Sequence, residues 1–197
     1  PRSGKDTSER IEYMKTKVVE KFLNGGVVLQ PEVFEDERGF FVEIFKKDEL
    51  KSLGIQADFI QGNHSSSKKE TVRGLHFQYA PAMAKLMRVT VGEAFLVVVD
   101  IRKGSPSLGK WFGVEVSAKN KLQVWAPAGC ARGFCVISDY AEVEYFATAQ
   151  YNNKGESGIL WNDPEIGIKW PVKRPLLSGK DRQAQTLAAW LNRPEAD

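Results

Sequence analysis

The sequence predicts an all-β fold, a sandwich or barrel of short strands with one helix at its C-terminal end. Three observations carry this. From residue 57 to about residue 150, stretches of strand length alternate apolar with polar residues and are separated by turn signals rich in glycine and proline. No strand–helix–strand alternation and no internal repeat interrupts them. In the tail, Leu187, Trp190 and Leu191 fall at helical spacing behind an S-x-x-D start signal formed by Ser178 and Asp181.

Taken in order, residues 1–13 (PRSGKDTSERIEY) are polar, precede Met14, and are expected to be an expression remnant or a loose extension. Residues 14–197 are expected to form a single domain, which the length of 197 residues suits. A strand is expected around Gly26–Pro31. PEVFEDERGFFVEIF reads as a charged turn followed by an aromatic strand, and KKDELKSLG, residues 46–54, as a short helix stopped at Gly54. KLMRVTVGEAFLVVVDIR reads as two strands joined at Val91–Gly92–Glu93. GKWFGVEVS sets Trp111, Gly113 and Glu115 opposite Phe112, Val114 and Val116. KLQVWAPAGCARGFCVIS supplies two more strands around a Pro127–Gly129 turn. AEVEYFATAQY puts Val143, Tyr145 and Ala147 on one face.

Composition narrows the function. The net charge of +3, from 28 basic and 25 acidic residues, is too balanced for a nucleic-acid binder, where a concentrated basic stripe is expected. It accommodates a local pocket for a small anion. No apolar run spans a bilayer and no secretory pattern opens the chain, so a cytoplasmic protein is expected. Cys130 and Cys135 form neither a disulfide scaffold nor a C-x-x-C pair, and their odd separation points them to opposite faces of a strand as buried free thiols. With only His64 and His76 in the chain, a metal site built from several imidazoles is excluded within one chain.

The string QGNHSSSKKETVRGLHFQ, residues 61–78, gathers Gln61, Asn63, Arg73, His76 and Gln78 in a β-rich segment. A lone strand histidine is usually structural, but this one has unusual polar company. Strict alternation places Arg73 and His76 on opposite faces, unless Gly74 marks a bulge that re-aims one of them.

With FEDERGFF, VRGLHFQ, AKLMRVTVGEAF, VDIRKGSPSLGKW, AEVEYFATAQYN, ILWNDPEIGIKWP and LSGKD in this order, the chain closely resembles the dTDP-4-dehydrorhamnose 3,5-epimerases from Met14 to about residue 190. The resemblance implies a cupin-like jelly-roll barrel, no metal or other cofactor, a homodimer, and a nucleotide-sugar substrate. Epimerisation beside a ketone needs a base, a donor or cation for the enolate oxygen, and an acid on the opposite face.

By resemblance the base is His76, its carboxylate partner Asp181, the ketone-polarising cation Lys85 and the proton donor Tyr145. A carboxylate beside an imidazole orients it and stabilises its protonated form. Taken singly, Asp181 passes for a helix-capping carboxylate, Lys85 for a solvated strand-edge lysine and Tyr145 for a barrel aromatic. Arg38, Glu43, Gln61, Asn63, Arg73, Glu156 and Lys180 match the family's nucleotide-binding positions, and Tyr151 matches an aromatic that stacks on thymine. Arginine and lysine are natural partners of a diphosphate.

The chain departs from the family at Ala131–Arg132–Gly133–Phe134, where AHGF is usual. Arg132 is longer, permanently charged and a fork-shaped donor, fitted to bind the sugar, the diphosphate or a developing enolate but not to shuttle a proton near neutral pH. Leu96 stands where aspartate is common, a change of less expected consequence. The expected activity is inversion of C3 and C5 of dTDP-4-dehydro-6-deoxy-D-glucose to give dTDP-4-dehydro-L-rhamnose. The alternatives are an epimerase of C3 alone or of another nucleotide-linked 4-keto sugar, and an inactive sugar-nucleotide binding protein.

Overall fold

The structure, a computed structural model, describes residues 16–196. The extension expected over residues 1–13 lies outside the described residues, as does Met14.

Two antiparallel sheets face each other. The first has six strands in the order β1-β2-β10-β7-β12-β5, formed by β1 (Lys17–Phe22), β2 (Gly26–Gln30), β5 (Gln61–Lys68), β7 (Lys85–Val91), β10 (Gln123–Ala126) and β12 (Tyr140–Ala147). The second has five in the order β13-β6-β11-β8-β9, formed by β6 (Val72–Gln78), β8 (Glu93–Asp100), β9 (Trp111–Ser117), β11 (Cys130–Val136) and β13 (Glu156–Gly158). This is the all-β architecture that the strand pattern predicts and the cupin-like form that the resemblance implies. Val28, Met87, Val124 and Val143 of the first sheet meet Leu96, Val98, Val116 and Phe134 of the second in one inner core. Phe112, Val114 and Val116 face that core, while Trp111 packs outside, as the alternation of β9 predicts. Every residue of β11 is buried, because β6 and β8 flank it and both its faces are covered. Cys130 lies in the inner core, and both it and Cys135 are buried free thiols.

Local turns carry the chain between sheets, so successive strands do not all pair. Gly92 adopts φ +72° between β7 and β8, where a Cβ would lie 2.1 Å from the Tyr140 carbonyl oxygen. The Pro127–Gly129 turn likewise links β10 in one sheet to β11 in the other. The outer face of the six-stranded sheet is covered by α1 (Lys47–Ser52) and its surroundings, with Leu50 and Ile55 against Leu29, Leu86 and Trp125. The expected helix over 46–54 is thus present, and Gly54 follows it at φ +86°.

Two segments differ from expectation. The charged turn before the aromatic strand is itself strand-forming: β3 (Val33–Asp36) and β4 (Gly39–Val42) make a separate hairpin. The single helix of the tail is divided into α2 (Gly179–Arg182) and α3 (Leu187–Leu191). Between them Gln185 bridges to Ile159, and its carbonyl accepts from Leu160 N–H at 2.8 Å, so that stretch serves the sheet rather than a helix. Each half has its own cap: Ser178 Oγ accepts from Asp181 N–H and Thr186 Oγ1 from Ala189 N–H. Leu187 and Trp190 then pack on Leu75, Phe77, Val97 and Val99, on the outer face of the five-stranded sheet.

Candidate active site

The site begins with an irregularity in β6. Arg132 of β11 stands opposite His76 and Phe134 opposite Arg73, so two steps on one strand answer three on the other. Gly74 is the extra residue, at φ +125°, and this is a β-bulge. A Cβ on Gly74 would lie 2.7 Å from Gly133 Cα, and a Cβ on Gly133 would lie 2.6 Å from the Arg73 carbonyl oxygen. The two backbones approach too closely for any other residue at either position. The bulge turns Arg73 and His76, which strict alternation separates, toward the same cavity.

That cavity, of about 180 Å³, opens into the barrel and is lined by Arg73, His76, Lys85, Arg132 and Tyr145, together with Ser65, Met87, Gly133, Phe134 and Val143. His76 Nε2 lies 2.5 Å from Asp181 Oδ1. A carboxylate only accepts, so Nε2 carries the proton and Nδ1 is left as the basic nitrogen. Asp181 is 3% exposed. Burial alone raises its pKa, but the hydrogen bond and charge of His76, with bonds from Ser178 and the Gly74 N–H, outweigh it and hold the carboxyl below its ordinary range. The helix cap and the His76 contact therefore coexist in one residue, its backbone serving the first and its side chain the second.

Lys85 opens β7, with Nζ 4.3 Å from the centre of the Tyr145 ring. Burial first, and the charge of Arg132 second, lower its pKa to about 7 against the opposing pull of Glu156. Tyr145 is shifted up by burial, partly countered by Arg132. Arg132 is 3% exposed, and its Nη2 donates to the Met83 carbonyl oxygen.

A chain of polar contacts forms the rim. Lys180 Nζ lies 2.6 Å from Glu156 Oε2, to which Tyr151 OH donates at 3.0 Å. Tyr151 N–H donates to Gln61 Oε1 at 2.7 Å, and Gln61 Nε2 to Asn63 Oδ1 at 3.1 Å. Asn63 stands opposite Tyr145 in the sheet, which ties the rim to the cavity. Burial raises the Glu156 pKa, but Lys180 and Tyr151 prevail and lower it. Arg73 is anchored by Ser67 Oγ at 2.8 Å and the Ser66 carbonyl at 3.1 Å. Tyr151 leaves its ring largely exposed, at 59%.

Two predicted residues are not gathered here. Arg38 sits at the tip of the β3–β4 hairpin, ion-paired with Asp36, and Glu43 pairs with Lys46 at 2.9 Å. Neither lines the cavity. Conversely, Ser65, Met87, Phe134 and the Met83 carbonyl were not singled out from the sequence. Val143 had a signal, since it shares the face of Tyr145. Ser65 had none in a run of serines. Among the described residues, no three His, Cys, Asp or Glu side chains cluster to hold a metal.

A family model described as dTDP-4-dehydrorhamnose 3,5-epimerase matches residues 20–189. The chain is 52% identical over 161 residues to the dTDP-4-dehydrorhamnose 3,5-epimerase of Shigella flexneri, covering 81% of this chain and 89% of that one. It is similar to the crystal structure of dTDP-6-deoxy-D-glucose-3,5-epimerase from Legionella pneumophila in complex with dTDP-4-keto-L-rhamnose, with a TM-score of 0.87, 39% identity, and coverage of 92% of this chain and 96% of that one. A dTDP-4-dehydrorhamnose 3-epimerase of Streptomyces niveus is 37% identical over 162 residues, covering 81% of this chain and 78% of that one.

Proposed function

The chain belongs to the dTDP-4-dehydrorhamnose 3,5-epimerase family, and on that premise we propose that residues 14–197 form one epimerase domain that inverts C3 and C5 of dTDP-4-dehydro-6-deoxy-D-glucose, giving dTDP-4-dehydro-L-rhamnose. The observation that carries this is a single cavity lined by His76, Lys85 and Tyr145, with Asp181 2.5 Å behind the imidazole.

The chemistry follows from these groups. His76 Nδ1 takes the proton from a carbon beside the ketone. The C–H pair becomes the C=C bond, and the carbonyl π pair moves to the 4-oxygen, where Lys85 faces the new charge. Asp181 balances the imidazolium. Tyr145 delivers a proton to the opposite face of the carbon, and its phenolate and the imidazolium re-equilibrate with solvent. The product is an isomer of the substrate, so no electron acceptor or other cofactor is called for.

On the rim, Tyr151 offers its exposed ring to thymine, while Arg73 and Lys180 meet the diphosphate. Glu156, Gln61 and Asn63 hold those groups in place. Arg132 contacts an oxygen of the bound sugar. Arg38 and Glu43, which do not line the cavity of their own chain, suit a homodimer in which the β3–β4 hairpin reaches a second copy. The exposed Phe34, Phe40 and Phe41 of that hairpin support such docking. The two free thiols fit the reducing cytoplasm, and no helix among the described residues is long and apolar enough to cross a membrane.

The test is conversion of the 4-keto sugar by wild type and His76→Ala. Loss of a general base commonly costs about 10²–10⁴-fold. Turnover of the variant at the wild-type rate contradicts the assignment of the base.

A further inference from the structure

Arg132 brings into the barrel a buried charge with no ion-pair partner among the described residues. Its Nη2 is engaged by the Met83 carbonyl, but Nε and Nη1 have no hydrogen-bond partner among the described residues. The strand beside it is apolar. Val98 stands directly across on β8, and Leu96, opposite Phe134, fills the position where the resembled family commonly has aspartate. Both are buried in the inner core. Arg132 is thus a guanidinium set against apolar neighbours on β8. Burial lowers the Arg132 pKa to about 10 against the pull of Cys130 and Tyr145, and the Arg132 charge in turn helps burial to lower that of Lys85. A buried guanidinium so placed is strongly unfavourable unless an anion or a set of acceptors arrives with the ligand.

Its depth selects which part of the ligand. The cations of the rim are accessible: the Lys180 side chain is 56% exposed. Arg132 is enclosed, stands opposite His76 across the strand pair, and shares its cavity with Lys85 and Tyr145. A nucleoside diphosphate reaches the rim first. The negative charge that arises at the depth of His76 is that of the enolate.

We propose that Arg132 is a catalytic residue that donates from Nε and Nη1 to the sugar's 4-oxygen as it becomes an enolate, forming with Lys85 a two-cation oxyanion site. This rests on the epimerase activity proposed above. When His76 removes the proton, the electron pair left on carbon forms the C=C bond and the carbonyl π pair settles on the 4-oxygen, between these two donors. On reprotonation by Tyr145 the pair returns to carbon and the ketone is restored. The guanidinium stays charged at every working pH, so it holds the enolate whether Lys85 is ammonium or amine.

The experiment compares wild type, Arg132→Met and Arg132→Gln by kcat on the 4-keto sugar, by dTDP affinity in calorimetry and by thermal midpoint. Loss of an oxyanion donor costs about 10²–10³-fold in kcat, and that loss is expected in Arg132→Met. Its dTDP affinity should stay within about twofold, because the diphosphate lies elsewhere. Its midpoint without ligand should hold or rise, since the uncompensated charge is gone. Arg132→Gln keeps a neutral donor and should lose at least about tenfold in kcat, which serves if the methionine variant does not fold. An active wild type whose folded variants keep kcat within about threefold overturns the assignment alone. So does a loss confined to dTDP affinity, which would make Arg132 a diphosphate contact. A wild type that leaves the sugar unchanged overturns the epimerase reading and this assignment with it.

Discussion

Asp181→Asn isolates the electrostatic half of the His76 pair. The substitution keeps the shape of a side chain that is only 5% exposed and leaves one oxygen to face the ring, but it removes the charge. The Asp181 contact to His76 Nε2 is 2.5 Å, and the same carboxyl accepts from the Gly74 N–H. A hydrogen bond to a charged group contributes about 1.5–3 kcal/mol, which at about 1.4 kcal/mol per decade is roughly 10- to 150-fold in rate. A second loss adds to this. The amide nitrogen can donate to Nε2, which leaves the proton on Nδ1 and removes the base. An Asp→Asn change behind a catalytic histidine that traps the wrong tautomer costs about 10⁴-fold in serine proteases. The expected fall in kcat is therefore about 10²–10⁴-fold, with dTDP affinity unchanged. The Ser178 cap uses the backbone of residue 181 and survives the substitution. The sign with pH is also set. The folded pKa of Asp181 is depressed, so its stabilising contribution is present above the ordinary carboxylate range and is lost as pH falls through the folded value. The assay is conversion of the 4-keto sugar followed by NMR, beside dTDP titration calorimetry. A variant within about fivefold of wild type in kcat, or one changed only in KM, would refute the orienting role.

Tyr145→Phe removes one hydroxyl from the cavity wall; proton exchange with solvent should survive better than net inversion, and equal small changes in both would make Tyr145 a packing residue. Tyr151→Ala should weaken dTDP binding by about 1–3 kcal/mol, the range for base–aromatic stacking, and an unchanged calorimetric Kd removes it from the nucleotide site. Asp100, 0% exposed, has a pKa lowered to about 2 because hydrogen bonds from Arg102, Ser105 and Ser107 overcome the effect of burial. Against an ordinary value of 3.8, this is about 2 kcal/mol of stability present above pH ~4 and lost as pH falls toward 2. Asp100→Asn should accordingly flatten the acid side of the stability profile in denaturant titrations, and a profile as steep as wild type contradicts that.

Much of the barrel was legible because its strands carry local signals. The alternation in β9 and β12 and the valine run of β8 each declare a strand and, for β9 and β12, a buried face. What was not legible depended on partners distant in sequence. β1, KVVEKF, is mostly exposed and rich in charge, so it carries little apolar pattern. β13 is three residues long and exists because Glu156–Gly158 pair with His76–Gln78. No local pattern tells that the turns at Gly92 and Pro127–Gly129 pass the chain from one sheet to the other. The break between α2 and α3 is likewise tertiary, imposed by the bridge of Gln185 to Ile159.

The site shows the same division. His76, Lys85, Asp181 and Tyr145 were named through resemblance, since each has an ordinary structural explanation alone. The bulge at Gly74, raised from the sequence as the condition for Arg73 and His76 to share a site, is present, and its close approach to Gly133 is what requires glycine there. The depth of Arg132 was not readable, because it follows from the burial of β11 on both faces. Nor was the absence of Arg38 and Glu43 from the cavity lining; Arg38 sits at the tip of the separate β3–β4 hairpin and Glu43 pairs with Lys46.

The central claim is that protons are removed and returned at two carbons flanking one ketone. It is tested most directly by incubating the protein with dTDP-4-dehydro-6-deoxy-D-glucose in deuterated water and locating the label by NMR. Deuterium at both C3 and C5 of a product with the L-rhamno configuration is the predicted result. Label at C3 alone would reduce the activity to a single inversion, and a sugar without label at either carbon would contradict the account.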